Sequence, residues 1–248
     1  LVLIAIRGSF YAFANYGSND SMFYTFLYGA TGLLIPAAMS TTLTISQGGF
    51  IRKTNETVEF LGTKLFTNFY SWTVVALAIV SVLYISAMFL LFYADKAKDE
   101  NATPLIRKWA LFWSIPTIVV CALVFFGLKN QAAWHYENIL NGNWWWFAAS
   151  FLFFCVAVTL VYLKKNYGIA FIAVMAQYGV AWFGYGYTHL PYILYPYIDI
   201  NKAVVNETMA TALVVVFIFG LMLLIPALYL ILRLFLFDND YVSGKKAK

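Results

Sequence analysis

His135 and His189 are the only imidazoles in the chain, and both fall where long apolar runs give way to polar sequence. An imidazole at such an edge can ligate haem iron, and a pair can do so axially from both sides. That chemistry needs the two ligating nitrogens about 4 Å apart across one iron, from metal–nitrogen bonds of roughly 2 Å each. The competing reading is two hydrogen-bonded structural residues at a membrane interface. Met22, Met39, Met88, Met175, Met209 and Met222 offer thioethers, but Met within apolar helices ordinarily fills packing gaps. Cys121 and Cys155 lie inside apolar runs with no CxxC spacing and read as buried structural thiols. Gln177 sits near the centre of its run, where an amide must bond to a neighbouring helix to offset desolvation. Gly179, Gly184 and Gly186 follow it among Tyr178, Trp182, Tyr185 and Tyr187, at a helix end where backbones can approach closely. Arg7, the only charge before Asp20, is a candidate contact for a partner or a proton path; a snorkelling anchor is the plainer alternative.

No nucleophile elbow GxSxG, phosphate loop GxxxxGK or zinc pair HExxH occurs. The sequence therefore supports no enzyme chemistry by this chain alone. Nor does any long apolar run carry a mid-span Asp or Glu of the kind a proton-coupled carrier uses as its relay.

The elements that must position these residues are membrane helices. Of 248 residues, 62% are hydrophobic and 11% charged, with a mean hydropathy of +0.75. Soluble domains carry about a quarter charged residues, so this chain has too little polar surface for water. Stretches free of Asp, Glu, Lys and Arg run over 21–51, 65–94, 109–128, 138–163, 166–198 and 208–232. Each holds the roughly 20 residues that cross a hydrocarbon core of about 30 Å. The predicted spans are 21–46, 69–93, 107–128, 144–163, 167–188 and 208–233, preceded by 1–14, which reads as a span with its beginning missing. The expected fold is a single all-α integral membrane domain over 1–248, a polytopic helical bundle with seven transmembrane helices. A five-residue echo, Leu33 to Ala37 against Leu223 to Ala227, is too generic to indicate duplicated halves.

Charge orients the bundle. One set of alternate loops carries eleven Lys and Arg, at Arg7, Lys96, Lys98, Arg107, Lys108, Lys164, Lys165, Arg233, Lys245, Lys246 and Lys248, and the other set carries five. Acids split six to five and do not explain the bias. The positive-inside rule makes the first set, and the C-terminus, cytoplasmic. Trp72, Trp109, Trp134 and Trp144 to Trp146 sit near span ends, as an aromatic belt requires. Pro36, Pro116 and Pro226 fall inside spans and predict kinks. In the extracytoplasmic loops, 55–66 reads as either a short surface helix or a solvated loop. Three Asn-x-Thr sites at Asn55, Asn101 and Asn206 carry no weight, since one lies on the cytoplasmic side. No basic run with interleaved aromatics occurs, so nucleic acid is not an expected partner.

The segment Gly184 to Tyr197, Gly-Tyr-Gly-Tyr-Thr-His-Leu-Pro-Tyr-Ile-Leu-Tyr-Pro-Tyr, precedes a short loop, one last span and a Lys-containing tail. It resembles subunit II of cytochrome bd quinol oxidases, in the variant of Gram-positive bacteria. The opening residues Leu1 to Phe13, with the Arg7–Gly8 pair, look like the end of that family's second helix. Ala12 and Ala14 stand where the family commonly has Glu and Arg, so only Arg7 and Gly8 carry over. The resemblance implies eight helices in the full-length family member. It implies that two b-type haems and one d-type haem, together with the quinol site, belong to subunit I. Subunit II would pack beside that partner in the bacterial cell membrane, support haem assembly, and in some members line a proton or oxygen path or hold a structural quinone. The complex would oxidise membrane quinol and reduce oxygen to water. A small-solute transporter and a haem-binding electron carrier are the alternatives, the first needing a polar midplane site and the second His135 and His189 at one iron.

Overall fold

A computed structural model describes residues 1–16, 21–54, 57–204 and 206–235. Ten α-helices and two small hairpins follow in order among them: α1 (Val2–Tyr16), α2 (Ser21–Ser46), β1 (Ile51–Lys53), β2 (Val58–Phe60), α3 (Gly62–Thr67), α4 (Phe69–Ala97) and α5 (Ala102–Gln131). Then come α6 (Ala133–Asn138), one π-helical turn (Ile139–Asn143), α7 (Trp145–Tyr162), α8 (Tyr167–His189), β3 (Tyr192–Leu194), β4 (Ile198–Asp199), α9 (Ile200–Ala203) and α10 (Glu207–Phe235). Six of these, α2, α4, α5, α7, α8 and α10, are long and apolar enough to cross a membrane. The protein is an all-α polytopic membrane protein. In hydrocarbon the backbone must satisfy itself, and the helix does so within each segment.

Helix ends are set by polar residues. Asn68 Oδ1 accepts from Tyr70 N–H (2.8 Å) at the start of α4, Asp99 Oδ1 from Ala102 N–H (2.9 Å) at α5, and Asn206 Oδ1 from Met209 N–H (3.1 Å) at α10. Each quenches a donor that the first turn leaves unpaired. Asn206 therefore works as a helix cap. The polar end of α2 is tolerated because its hydroxyls bond back to their own helix: Ser40 to Ala37 O, Thr41 to Ala38 O, Thr42 to Met39 O and Ser46 to Leu43 O, at 2.6–2.8 Å. Pro36, Pro116 and Pro226 lie within α2, α5 and α10, which continue through them.

The chain divides into two compact units, one of 1–84 with 113–144 and the other of 85–112 with 145–248. In the first, α1 and α2 interleave aromatic rings, with Phe13 on Tyr24 at 5.6 Å and Tyr11 on Tyr28 at 5.8 Å. There α4 meets α5 at Gly127, where a Cβ would stand 3.1 Å from the Tyr70 ring and 3.3 Å from its Cα. The core of the second unit is built on small residues, with Ala110, Ala157, Ala170 and Ala173 buried beside Met88, Leu91, Val161 and Val174. Small side chains let helices approach where lipid supplies no hydrophobic drive between them.

The loops differ from expectation in one place. Instead of a surface helix or a plain loop over 55–66, β1 and β2 pair antiparallel, Ile51 with Phe60 and Lys53 with Val58, and α3 follows. Residues 55 and 56 lie outside the described set. Backbone pairing between the two strands satisfies their facing edges without the long amphipathic stretch a surface helix needs.

Candidate functional site

His135 lies on α6 and is wholly buried. The Gln47 carboxamide, just beyond α2, faces its Nδ1 with Nε2 at 2.8 Å and Oε1 at 3.1 Å, so a hydrogen bond forms in either tautomer. Trp134 stacks on the same imidazole at 5.2 Å and donates Nε1–H to Gln47 O at 3.4 Å. The network continues outward: Gln131 Nε2 donates to Gly48 O (3.0 Å), Asn68 Nδ2 to Gln131 Oε1 (2.6 Å), and Lys64 Nζ to Gly49 O (2.9 Å). Gly49 turns at φ +85° with Gln131 Nε2 only 3.0 Å from where a Cβ would sit, so this corner excludes a side chain. The arrangement ties the ends of α2, α4 and α5 together. The side chains it holds, Gln47, His135, Trp134, Gln131, Asn68 and Lys64, include no hydroxyl, thiol or carboxylate.

His189 ends α8 and is buried, with its ring parallel to Tyr185 at 5.7 Å. The Tyr-Pro segment after it folds into the β3–β4 hairpin, closed by Tyr197 N–H to Leu194 O and Ile200 N–H to Pro191 O, both 2.8 Å. Leu190–Pro191 and Tyr195–Pro196 are cis. His135 belongs to the first unit and His189 to the second, and each has its own stacking partner. A haem needs an open apolar slot beside its imidazole. Wholly buried His135, with Gln47 against Nδ1 and Trp134 over its face, does not fit that requirement. Among the described residues no three His, Cys, Asp or Glu side chains converge as a metal site requires.

Gln177 lies midway along α8 and is buried. Its backbone oxygen accepts from Ser150 Oγ of α7 at 3.0 Å, whereas its side-chain Oε1 has no partner among the described residues. Nearby, a Cβ on Gly184 would come within 2.5 Å of Trp146 Cβ, so α7 and α8 touch through a glycine. Arg7, on α1, donates Nη2–H to Tyr28 Oη at 3.1 Å, with its guanidinium carbon 4.5 Å from that ring's centroid. It also covers Gly32, whose Cβ position is 3.1 Å from Nη1. Gln47, Gln131, Asn68 and Tyr28 were invisible as site residues in the sequence, because each meets its partner across 21 to 88 residues of chain.

These features describe a chain that packs and is packed against. A model of the family described as cytochrome bd terminal oxidase subunit II matches residues 1–235. The chain belongs to that family. It is 28% identical over 254 residues to a Bacillus subtilis (strain 168) protein named as a candidate cytochrome bd menaquinol oxidase subunit II, covering 99% of this chain and 73% of the relative. A solved structure of bd oxidase from Geobacillus thermodenitrificans matches with a TM-score of 0.81 and 50% identity, over 96% of this chain and 72% of that one. The Gly184 to Tyr197 segment and the Arg7–Gly8 pair thus belong to a subunit II of the bd type.

Proposed function

We infer that the chain acts inside a cytochrome bd quinol:oxygen oxidoreductase as its non-catalytic accessory subunit, in a bacterial respiratory membrane. The family match over 1–235 carries this reading. The b-type and d-type haems and the quinol site belong to subunit I, and the present chain supplies helices beside it. The Bacillus subtilis relative is named for menaquinol, and we take a quinol of that class as the electron donor. Seven spans, with Val2–Tyr16 as the first, make a single membrane domain whose C-terminus is cytoplasmic, supported by the eleven-to-five bias of Lys and Arg. Arg7 acts as a clamp between α1 and α2, supported by its bond to Tyr28, and its charge at a cytoplasmic edge is the proposed contact for a partner or a proton path. His135 and His189 are structural, and residue 177 is an interhelical contact through its backbone oxygen, which accepts from Ser150.

The test is purification from native membranes in mild detergent, followed by reduced-minus-oxidised spectra of the intact preparation and of this chain after separation. Haem and quinol oxidase activity should follow a larger co-purifying chain. Haem retained by this chain alone, and lost with His135→Ala or His189→Ala, would establish an electron carrier instead. Haem-free preparations would leave the transporter.

A further inference from the structure

Two turns of the second unit close with the same motif. After α4, Asp99 N–H donates to Ala94 O and Lys98 N–H to Asp95 O, both at 3.1 Å. After α7, Lys165 N–H donates to Leu160 O at 3.0 Å and Lys164 N–H to Val161 O at 3.3 Å. Such paired bonds end a helix on a left-handed residue that is usually Gly, sometimes Asn. Here both are lysines, Lys98 and Lys164, each at φ 56°. A Cβ is disfavoured in that region. Each turn thus holds an ammonium group where local folding alone favours none.

The two turns share one end of the unit. Arg107 of α5 donates Nε–H to Val161 O (2.8 Å) and Nη2–H to Tyr162 O (2.7 Å), fixing the start of α5 to the end of α7. Phe92 of α4 stacks on Phe171 of α8 at 6.0 Å and lies against Gly168, bringing the remaining two helix ends together. Lys96, Lys98, Arg107, Lys108, Lys164 and Lys165 lie on the helix ends and turns there, as do Asp95, Asp99 and Glu100. Asp99 is already engaged, accepting from Asn101 and Ala102 N–H at 3.0 and 2.9 Å. Lys98, Lys108, Lys164 and Lys165 are exposed, as are the rings of Trp109 and Tyr162 beside them. Aromatic rings of that kind settle at headgroup depth, which puts the ammonium groups level with lipid phosphates.

We propose that this end of the second unit binds the headgroups of anionic phospholipids, with Lys98 and Lys164 meeting the phosphodiester and Trp109 and Tyr162 seated at the interface. Lysine suits the role as a mobile point charge with three donors. The inference rests on the membrane reading, and on the cytoplasmic assignment only for which leaflet is concerned.

The complex is reconstituted in phosphatidylcholine bilayer discs with and without phosphatidylglycerol, and the lipids retained by this chain's particle are weighed by native mass spectrometry. Lys98→Gly with Lys164→Gly removes both charges while installing the residue each turn favours, so folding is not compromised. The retained phosphatidylglycerol-to-phosphatidylcholine ratio should fall by about fivefold per lysine, with the thermal midpoint unchanged or raised. Lys98→Arg with Lys164→Arg should keep the ratio near that of the parent. Equal retention by parent and glycine variants overturns the proposal. Inorganic phosphate protecting the complex from heat as well as phosphatidylglycerol does also overturns it, because the ligand is then a free anion. Loss of a haem-bearing partner from the preparation sinks the oxidase reading instead, since the lipid ratio is read on any particle containing this chain.

Discussion

Helices α8 and α10 belong to the same unit and both qualify as membrane spans, yet they are used differently. Among the described residues, 33% of the most apolar stretch of α8 is buried, while none of that of α10 is. The difference runs against apolarity, for α10 is the richer in Leu, Ile, Val and Phe. Helix α8 instead carries Ala170, Ala173, Gln177 and Gly184, which are small or polar and are buried. In a membrane, hydropathy reports the solvent a helix tolerates, and small or polar residues report its neighbours. Helix α10 has small residues too, Ala212, Gly220 and Ala227, but they are exposed along with its large apolar side chains, which leaves that surface to lipid or another chain.

The largest effect should come from filling the closest contact. Gly184→Leu forces a side chain into Trp146, whose Cβ is already 2.5 Å from the Cβ position of residue 184. Overpacking of that kind costs about 3 kcal/mol. Denaturant titration of the purified complex should show it as a clear loss of stability, and an unchanged midpoint would mean that α7 and α8 do not meet there.

Gln177 sharpens the comparison through the sign of its effect. Its buried Oε1 has no partner among the described residues, so Gln177→Leu relieves a desolvated amide and should raise stability by about 1 kcal/mol. A fall of similar size would place a donor from subunit I against that oxygen. Ser150→Ala is the smaller companion, because it removes one hydroxyl bond of 3.0 Å to the Gln177 backbone. Interhelical bonds of this type contribute about 0.6 kcal/mol in membranes. The same titration measures both, and a Ser150→Ala cost well above that figure would show that the hydroxyl does more than brace α7 on α8.

What was legible in the sequence follows the same line. The six charge-free stretches give α2, α4, α5, α7, α8 and α10, because the bilayer imposes helix on any apolar run that long. The tyrosine–proline segment pointed to the family through residue identities in one continuous stretch. The partners of the chosen residues were not legible. His135 finds Gln47 across 88 residues and Arg7 finds Tyr28 across 21, distances over which no periodicity carries information. The hairpin of Ile51–Lys53 with Val58–Phe60 escaped for a related reason, since its pairing depends on backbone bonds that amphipathic spacing alone does not distinguish from a surface helix.

The smallest effect belongs to α10. Leu223 is 77% exposed among the described residues, so Leu223→Ala trims a side chain that the chain itself leaves uncovered there. Its stability change should stay within about 0.5 kcal/mol, the usual range for substitutions away from packed features. Helix α8 offers the contrasting control at Val174, which is fully buried, where truncation to Ala leaves a cavity and costs about 1–2 kcal/mol. If Leu223→Ala in the intact complex instead costs as much as Val174→Ala, then α10 packs against subunit I and its bare surface is the interface. If it stays near zero there as well, that side of α10 faces lipid, and the partner must grip this chain through another element.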